Sequence, residues 1–374
     1  MQGCYSPLVP AAFSLLLTLG AVSAAQADNG ISTTINGFGT IGGTYTGDSA
    51  YTYVHNPSEF KATNSQFDLG LDSRIGVQAN FSYGTDLSII VEEEAKRRGS
   101  ENFALGTEWA FIQYTPTADV KLRLGRVALA TFLMSDSRDV GYAQPWFNAP
   151  NEMYGSEPFE TLDGGQALWH VSLGQIGLDL KGAYGSTSQA EQADGANAGT
   201  VSARSAYNLA ATLTYDNFLL RVAETSISIP LILPLGPTTV SYTDHDKFFS
   251  AGFQYDDGKA IALSEWAKRI ENDVPLVNLP VDMSNEWYVA GGWRFGKLTP
   301  LLMYGKWDGG LSLLHPLETS ATLSASLRYD IVRNVALKAQ FSRPQVLNTT
   351  YFNTPNYASS ERVNVISVGA DFLF

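Results

Sequence analysis

The sequence predicts an all-β chain whose strands close into a 16-stranded antiparallel transmembrane β-barrel. Three observations lead to this fold class. Apolar and polar residues alternate over segments longer than the roughly 3 to 10 residues of a globular strand, turn motifs recur along the chain, and the last residues, SVGADFLF, are apolar on one side only. Backbone polar groups in lipid must all be paired, so such strands can span a membrane only as a closed barrel.

The bulk composition agrees with a barrel that encloses water. Charged residues make up 16% of the 374 residues, against roughly 25% in typical globular domains. The mean hydropathy is −0.06 and the formal net charge is −13. A water-filled barrel accounts for a mean hydropathy as low as that of a soluble protein, because half of the side chains of each strand then face water. The acidic balance argues against a nucleic-acid partner, which needs a basic patch.

Residues 1–27 are predicted to be a secretory signal peptide. An apolar stretch, VPAAFSLLLTLGAVSA, precedes the small residues of AVSAAQA, which predict cleavage after Ala24 or Ala27. The single cysteine, Cys4, lies in this segment. The predicted barrel domain, residues 28–374, therefore has no thiol for a disulfide, a metal site or a nucleophile. An exported chain without another long apolar run is periplasmic, secreted, or a barrel in the outer membrane.

Seven turn motifs give the number of strands. In chain order they are YGTD, TPTAD, LGQI, YDNF, YDDGK, FGKL and YDIVRN. Six of the seven have a Tyr or Phe at or just before the turn, which is typical of the aromatic girdle at a membrane interface. Seven turns join fourteen strands, and INGFGTIGGTYT before them and ERVNVISVGADFLF after them bring the total to sixteen.

The longest interval between turns predicts a long loop at residues 129–162, between the fifth and sixth strands. The loop is rich in acidic and aromatic side chains. A sixteen-stranded barrel leaves an open aqueous channel unless something narrows it. We therefore expect this third loop to fold into the lumen; a loop packed over the mouth is the alternative.

Charged residues on the strands are expected to face the lumen, because a charge that faces lipid at mid-bilayer costs roughly 2 to 4 kcal/mol. By strand parity, the basic set is Arg74, Lys121, Arg123, Lys181, Arg204, Arg221, Arg294, Arg328 and Lys338. The acidic set is Asp68, Asp72, Glu92, Glu94, Asp179 and Glu265. This placement follows from physics and does not by itself indicate a function.

Other motifs give no sign of a cofactor, a metal or a catalytic centre. The stretch GFGTIG matches G-x-G-x-x-G but lacks the following helix of a dinucleotide site. Its glycines are better explained by tight curvature or by space in the lumen. The histidines, His55, His170, His245 and His315, are too scattered for a metal motif or for a Ser–His pair. We therefore predict no catalytic residues.

Several motifs in order resemble the sixteen-stranded general porins of Gram-negative outer membranes. They are the export signal, GFG in the first strand, DSRIGVQ in the second, LRLGR before the long loop, and a terminal Phe after alternating apolar residues. The segment LRLGRVALATFLMSDSRDVGYAQPWFNAPNEMYG is similar to a group of proteobacterial porins without a well-defined substrate, although it lacks a PEFGG-like turn. The resemblance implies passive diffusion of ions and small hydrophilic solutes through the outer membrane.

The resemblance also implies partners. It implies a homotrimer, contacts with outer-membrane lipid and lipopolysaccharide, and insertion by the barrel assembly machinery. Phe372 and Phe374 would be the assembly signal.

The resemblance further assigns a pore constriction. Arg74 in DSRIG and Arg126 in LGR match the eyelet arginines of general porins. Arg126 has the lipid-facing parity of its strand, so its assignment assumes that the strand ends there. The full predicted constriction is Arg74, Arg123, Arg126, Asp136, Asp139 and Glu152. Its charges nearly balance, which predicts weak selectivity, slightly toward anions.

Two alternatives remain open at this stage. The first is a substrate-selective channel whose aromatic loop residues bind a small organic solute. The second, less favoured, is an outer-membrane barrel enzyme or adhesin.

Overall fold

A single antiparallel sheet of sixteen long strands forms the fold of this computed structural model. It describes residues 22–23, 30–47, 53–55, 66–98, 101–155, 159–191, 199–235, 238–271, 282–309, 319–347 and 362–374. The strands are β1 Ile31–Thr46, β2 Arg74–Tyr83, β3 Leu87–Arg98, β4 Glu101–Thr117, β5 Val120–Ala128, β6 Thr161–Leu173, β7 Ile176–Glu191, β8 Gly199–Tyr215, β9 Phe218–Leu235, β10 Thr238–Asp256, β11 Ala260–Glu271, β12 Asp282–Trp293, β13 Leu298–Asp308, β14 Thr319–Val332, β15 Val335–Leu347 and β16 Val365–Leu373. The sixteen strands predicted from the sequence are confirmed.

The last strand closes the barrel against the first. β16 pairs with β1 from Val365↔Thr46 to Leu373↔Phe38. Two further hydrogen bonds join Phe374 to Gly37, with N···O distances of 2.7 and 2.9 Å. This is the closing role predicted for SVGADFLF. A two-residue strand, Val22–Ser23, also pairs with β1 and lies within the predicted signal peptide.

All seven predicted turns join consecutive strands. The turn between β8 and β9 links Tyr215 to Phe218 through two residues, of which Asp216 is a non-glycine residue with φ of 50°. Asp and Asn tolerate this left-handed conformation better than most residues.

One hairpin is longer than the barrel needs. β9 and β10 pair as far as Leu235↔Thr238, whereas the pairing of β8 ends at Ser228 and that of β11 at Asp246. Within the described chain, residues 229–245 thus pair only with each other.

The outward face of the sheet is apolar. On β2, Ile75, Val77 and Phe81 are exposed, and Leu209 and Leu213 are exposed on β8. They alternate with polar residues, which is the dyad pattern of a membrane barrel. We call the opposite face of the sheet, to which the alternating polar residues point, the inner face. In the described part of the chain, no helix is long and apolar enough to span a membrane.

The long loop runs from residue 129, after β5, to residue 160, before β6. It contains two short 3-10 turns, Ser135–Ser137 and Gly141–Ala143, and the four-residue helix α1, Asn151–Tyr154. Its apolar side chains pack on inner-face residues of β9 to β13. The cluster includes Phe132, Trp146, Met153, Tyr154 and Phe159 from the loop, and Ile227, Phe248, Leu263, Tyr288 and Leu301 from the strands.

Candidate functional site

The long loop is hydrogen-bonded to strands around most of the inner face. Described hydrogen bonds connect it to β2, β3, β7, β8, β9, β10, β11, β14, β15 and β16. Contacts with ten of the sixteen strands make this region the candidate site.

Basic residues of the inner face bind carbonyl oxygens of the loop backbone. They come from β9 and from the paired strands β14 and β15. The donors and acceptors are Arg221 Nη2 to Ala130 O (2.8 Å), Arg328 Nη1 to Tyr142 O (2.7 Å) and Gln144 O (2.9 Å), and Lys338 Nζ to Gly141 O (2.6 Å). These cations, predicted to line the lumen, therefore hold the loop. Charge-assisted bonds of this kind are among the stronger ones in proteins.

Acceptors on the inner face bind loop N–H and O–H groups. Glu265 on β11 accepts from the Leu133 N–H at 2.5 Å and from the Tyr154 hydroxyl at 2.8 Å. Gln340 on β15 accepts from the backbone N–H groups of Phe147 and Asn148, both at 3.1 Å. Three of these four donors are backbone N–H groups, which a side-chain substitution does not remove.

Two glycines at the barrel seam make room for a loop aromatic ring. A Cβ added at Gly42 or at Gly369 would lie 2.6 Å from ring atoms of Phe147. Any larger residue would overlap the ring, so these positions need glycine for close approach. This agrees with the expectation that seam glycines provide space, and it identifies Phe147 as the group that uses the space.

Asp139 of the loop pairs with two basic residues of the inner face. Its carboxylate accepts from Lys96 Nζ on β3 at 2.6 Å and from Arg74 Nη1 on β2 at 3.4 Å. Lys96 also bonds Glu160 at 3.1 Å. Burial by itself would raise the pKa of Asp139, but Lys96 and Arg74 lower it further than burial raises it. Asp139 therefore carries its negative charge at neutral pH.

Asp136 pairs with a basic residue of a different strand. Both of its oxygens lie 3.0 Å from Lys181 Nζ on β7. Burial opposes ionisation, yet Lys181 and Arg221 outweigh it and lower the pKa of Asp136. Its side chain remains 38% exposed.

Arg123 lies on the inner face of β5 and is held by neutral groups. Nε donates to Gln113 Oε1 at 2.9 Å and Nη1 donates to Gln166 Oε1 at 3.1 Å. The guanidinium carbon lies 4.7 Å from the ring centre of Phe111. These contacts fix the plane of the guanidinium, and the carboxylate of Asp136 interacts electrostatically with it.

Arg126 pairs with a strand residue, although it also lines a cavity shared with Arg74 and Asp139. β5 continues to Ala128, so the assumption that the strand ends at Arg126 is wrong. Arg126 keeps the outward parity of Leu122 and Leu124 and forms a two-bond ion pair with Asp163, at 2.7 Å for each bond.

Arg204 was predicted to line the lumen, and the structure places it on the exposed side. β8 contains an irregularity: Gly185 pairs with Ala206 but Thr187 pairs with Ala203. The extra residue reverses the parity, so Ala203 is buried and Arg204 is exposed. Strict alternation cannot anticipate such a bulge.

Glu152 does not face the predicted arginines. It is 2% exposed and bonds Ser320 Oγ at 3.1 Å and the Thr322 hydroxyl on β14. Burial raises its pKa. Its contacts anchor α1 to the barrel wall.

The remaining predicted lining residues lie apart from the loop carboxylates. Asp72 is buried and accepts from Thr44 Oγ1 at 2.8 Å. Arg294 pairs with Asp256 at 2.7 Å beside a short turn. Lys121 is partly exposed and shares the inner face of β5 with Arg123.

Two cations of the site were missing from the constriction predicted from sequence. Lys96 is the central one, and it shares the parity of Glu92 and Glu94, which the sequence does assign to the lumen. Extending that pattern by two residues would have found it. Arg138 pairs with Glu160 inside the loop, and no strand periodicity applies there.

One cluster of three carboxylates has the spacing of metal ligands. Carboxylate oxygens of Glu94, Glu108 and Asp139 lie within 4.8 Å of one another. Lys96 Nζ is 3.1, 3.4 and 2.6 Å from these three carboxylates. Its ammonium already supplies the positive charge that a metal ion would bring.

No protein-family model matches the sequence, and no curated protein matches it. Solved structures do match. The outer membrane channel DcaP of Acinetobacter baumannii is 12% identical, with a TM-score of 0.62 over 94% of this chain and 100% of that one. An anion-selective porin from Comamonas acidovorans is 12% identical, with a TM-score of 0.59 over 92% and 100%. OmpT, an outer membrane protein of Vibrio cholerae, is 14% identical in its outer-membrane expressed form, with a TM-score of 0.58 over 94% and 99%.

At such low identity the likeness establishes the fold. All three neighbours are outer-membrane proteins, and the apolar outer face described above is the one such a membrane requires. The chain has the fold of an outer-membrane β-barrel, and the outer membrane is the location predicted from the sequence.

Proposed function

We propose that the protein is an outer-membrane porin that forms a water-filled channel for passive diffusion of ions and small hydrophilic solutes. The observation that carries this proposal is the pair of charged groups facing each other between loop and wall. Asp136 and Asp139 of the loop lie against Lys181, Lys96 and Arg74 of the strands. Ion pairs that tie a loop to the wall would narrow the lumen, and a narrow lumen lined by charged groups orients water and disfavours apolar solutes.

The loop is the constriction in this proposal. Hydrogen bonds to strands on opposite sides of the barrel support a loop that crosses the lumen. The printed names of two structural neighbours, a channel and an anion-selective porin, also support a conducting barrel. Transport of this kind breaks no bond and is driven by the concentration gradient alone.

A substrate-selective channel is the second candidate. A cavity of about 260 Å³ lies between the loop and strands β2 to β7, and it is lined by charged and aromatic groups, including Arg74, Arg98, Trp146 and Phe147. Such a mixture can bind a small organic solute. A solute that blocks the ion current at micromolar concentration would favour this candidate.

An enzyme is disfavoured, although one arrangement resembles catalytic machinery. His170 bonds Asp179 at 2.7 Å and Ser172 at 3.1 Å. The His170 side chain is 44% exposed. Acyl transfer also requires donors aimed at a developing oxyanion in a site that excludes water, and exposure to that degree leaves these groups in water.

The partners are proposed from fold and resemblance. A homotrimer is supported by OmpT of Vibrio cholerae, which has been solved in a trimer form. Crosslinking that yields only monomer would contradict it. Outer-membrane lipid and lipopolysaccharide would surround the apolar face, and the barrel assembly machinery would recognise Phe372 and Phe374. Most of the predicted signal peptide, residues 1–27, lies outside the described residues, so that assignment stays a prediction.

Liposome swelling tests the proposed function. Proteoliposomes should swell in a pentose, more slowly in a disaccharide, and not in a tetrasaccharide, because the loop restricts the lumen. Protein-free liposomes and liposomes with heat-denatured protein are the controls. Equal permeation of all three sugars would contradict a loop constriction, and no swelling in any sugar would contradict a general diffusion channel.

A further inference from the structure

The barrel wall is split between β4 and β5. From the short turn onward these two strands pair as far as Ala110↔Arg126. Beyond that point, within the described chain, residues 101–109 of β4 pair with no strand but β3, and residues 127–128 of β5 pair with no strand but β6. This part of β4 therefore has a free edge, whose backbone groups lipid alone does not satisfy.

The cavity beside the long loop extends into this split. Its lining includes Gly106 and Thr107 of β4 on one side, and Arg126 of β5 and Thr161 of β6 on the other. Arg126 has the outward parity of its strand, so the cavity reaches the membrane-facing side of the wall. A depression of about 450 Å³ on that outer side is also lined by Thr107 and Arg126, together with Leu124. The cavity and the depression therefore meet at the split.

The outer surface around the split is apolar. Leu124, on the short-turn side of the split, is 69% exposed, and Leu105, on the free edge of β4, is 71% exposed. Phe103 on β4 and Tyr184 on β7 are exposed on the same face. Apolar residues thus continue past the level at which β4 and β5 separate, so the split opens within the lipid-facing band.

Charged groups at the split form ion pairs. Arg126 donates to both carboxylate oxygens of Asp163 at 2.7 Å, and its Nη1 donates to the Thr107 carbonyl across the split at 3.3 Å. On the cavity side, Arg98 pairs with Glu108, which is 7% exposed. A ligand with a net charge would leave one member of such a pair uncompensated, which is costly. A zwitterionic group can instead contact both members.

One polar atom on the cavity side lacks a partner. Arg98 Nε is buried and has no hydrogen-bond acceptor among the described residues. A Cβ added at Gly106 would lie 2.8 Å from this nitrogen, so the glycine leaves room for the guanidinium against the edge of β4. Buried donors in proteins are normally paired. A phosphate oxygen in the cavity would supply the acceptor.

We propose that the split is a lateral portal, in which a single-chain zwitterionic phospholipid of the lysophosphatidylethanolamine type binds from the membrane. The head group enters the cavity, where its phosphate contacts Arg98 and Arg126 and its ammonium contacts Glu108 and Asp163. The cavity volume of about 260 Å³ is below the roughly 300 to 1,000 Å³ of small-molecule pockets, so the acyl chain stays outside, in the depression over Leu124. The proposal goes beyond the diffusion channel, because the lumen is then open to lipid as well as to water.

Photocrosslinking tests the binding of the lipid. Folded protein in vesicles of diacyl phospholipid is irradiated with a lysophosphatidylethanolamine whose acyl chain carries a diazirine. Mass spectrometry of peptides should locate the adducts at residues 103–107 and 122–126. Unlabelled lysophosphatidylethanolamine should compete about tenfold better than the anionic lysophosphatidylglycerol, which lacks one charge-assisted contact. Adducts spread evenly over the outer face, or equal competition by the two lipids, would overturn the proposal.

A double variant removes the charges at the outer side of the split. Arg126→Gln with Asp163→Asn neutralises both members of the pair, so that no charge is left unpaired. The adduct yield should fall about tenfold. Arg343→Gln, at an exposed outward position on β15, is the matched control and should keep the wild-type yield. Equal yields for the double variant and the control would contradict the assignment of the head-group site.

Thiol labelling tests the portal itself, since the only cysteine of the chain is Cys4. In a Cys4→Ser background, Thr107→Cys should react both with a sulfonated maleimide added in water and with pyrene maleimide dissolved in the lipid. Leu302→Cys, at a 63% exposed outward position on β13, should react only with pyrene maleimide. Each variant is checked for folding by the difference in gel mobility between unheated and heated samples.

Reaction of the thiol at position 107 with only one of the two reagents would overturn the portal. A disulfide-linked dimer through this thiol would assign the split to an interface between two copies of the chain, which also overturns it. Protein that passes both tests and yet does not conduct ions would contradict the proposed function alone.

Discussion

At the scale of single residues, glycines beside aromatic rings explain the closing seam. A Cβ at Gly37 would lie 2.2 Å from the Phe374 ring, and one at Gly39 would lie 2.5 Å from the Phe372 ring. The two rings stack on each other with centroids 6.1 Å apart. GFG and the terminal FLF are therefore two halves of one packing arrangement on the outward face.

This arrangement predicts a cost for Gly37→Ala. The added methyl must displace the Phe374 ring, and overpacking of this kind costs about 1–3 kcal/mol. The urea midpoint for refolding into lipid vesicles should fall accordingly. Gly291→Ala is the matched control, since the nearest atom to its added Cβ is 4.0 Å away. Equal midpoints for the two variants would show that the ring does not need this space.

At the scale of elements, the long loop is held at both its backbone and its side chains. Phe147 is 5% exposed, and its ring lies against the two seam glycines. Glu265 accepts from the Leu133 N–H, and Gln340 accepts from the Phe147 N–H. The loop is therefore expected to act as a fixed wall of the passage.

Phe147→Ala should loosen the loop. A buried Phe-to-Ala change costs about 3–5 kcal/mol, part of it from the cavity left behind. Single-channel records should show a larger mean conductance and more current noise than wild type. Tyr142→Phe is the comparison within the same loop, because it keeps the ring beside Arg328 and removes only the hydroxyl bond to the Arg333 carbonyl. An unchanged record for Phe147→Ala would mean that this ring does not position the loop.

The β9–β10 hairpin gives a second prediction for an element. The described residues 229–235 and 238–245 pair with neither β8 nor β11. Replacing residues 230–243 by Asn-Gly, a favoured two-residue turn, should therefore leave folding and conductance unchanged. Removing the same number of residues from the paired region, 219–225 with 248–254, should abolish folding. Loss of the channel in the first deletion would show that the extension supports the barrel.

At the scale of the whole molecule, the strands and turns could be predicted because they depend on neighbouring residues in the sequence. Alternation over two residues and the turn motifs gave sixteen strands and their order, because side-chain direction and turn chemistry are set by adjacent residues. Arg204 was assigned to the wrong face because one extra residue in β8 reverses the parity. That residue is an irregularity in the pairing with β7, which the sequence of β8 alone does not reveal.

The site was less accessible to sequence reasoning than the strands. The bonds of Asp136 to Lys181 and of Asp139 to Lys96 join residues 45 and 43 positions apart, through a loop that has no periodicity. Most of these charged residues could be identified from the sequence, but only the fold determines which of them form ion pairs.

Stepwise conductance in a planar lipid bilayer tests the central claim most directly. Purified protein should produce discrete current steps whose size rises in proportion to the KCl concentration, because ions cross a water-filled passage by diffusion. The lipid alone and protein denatured by heating are the controls. Folded protein that inserts into the bilayer and yet produces no steps at any salt concentration would contradict the account.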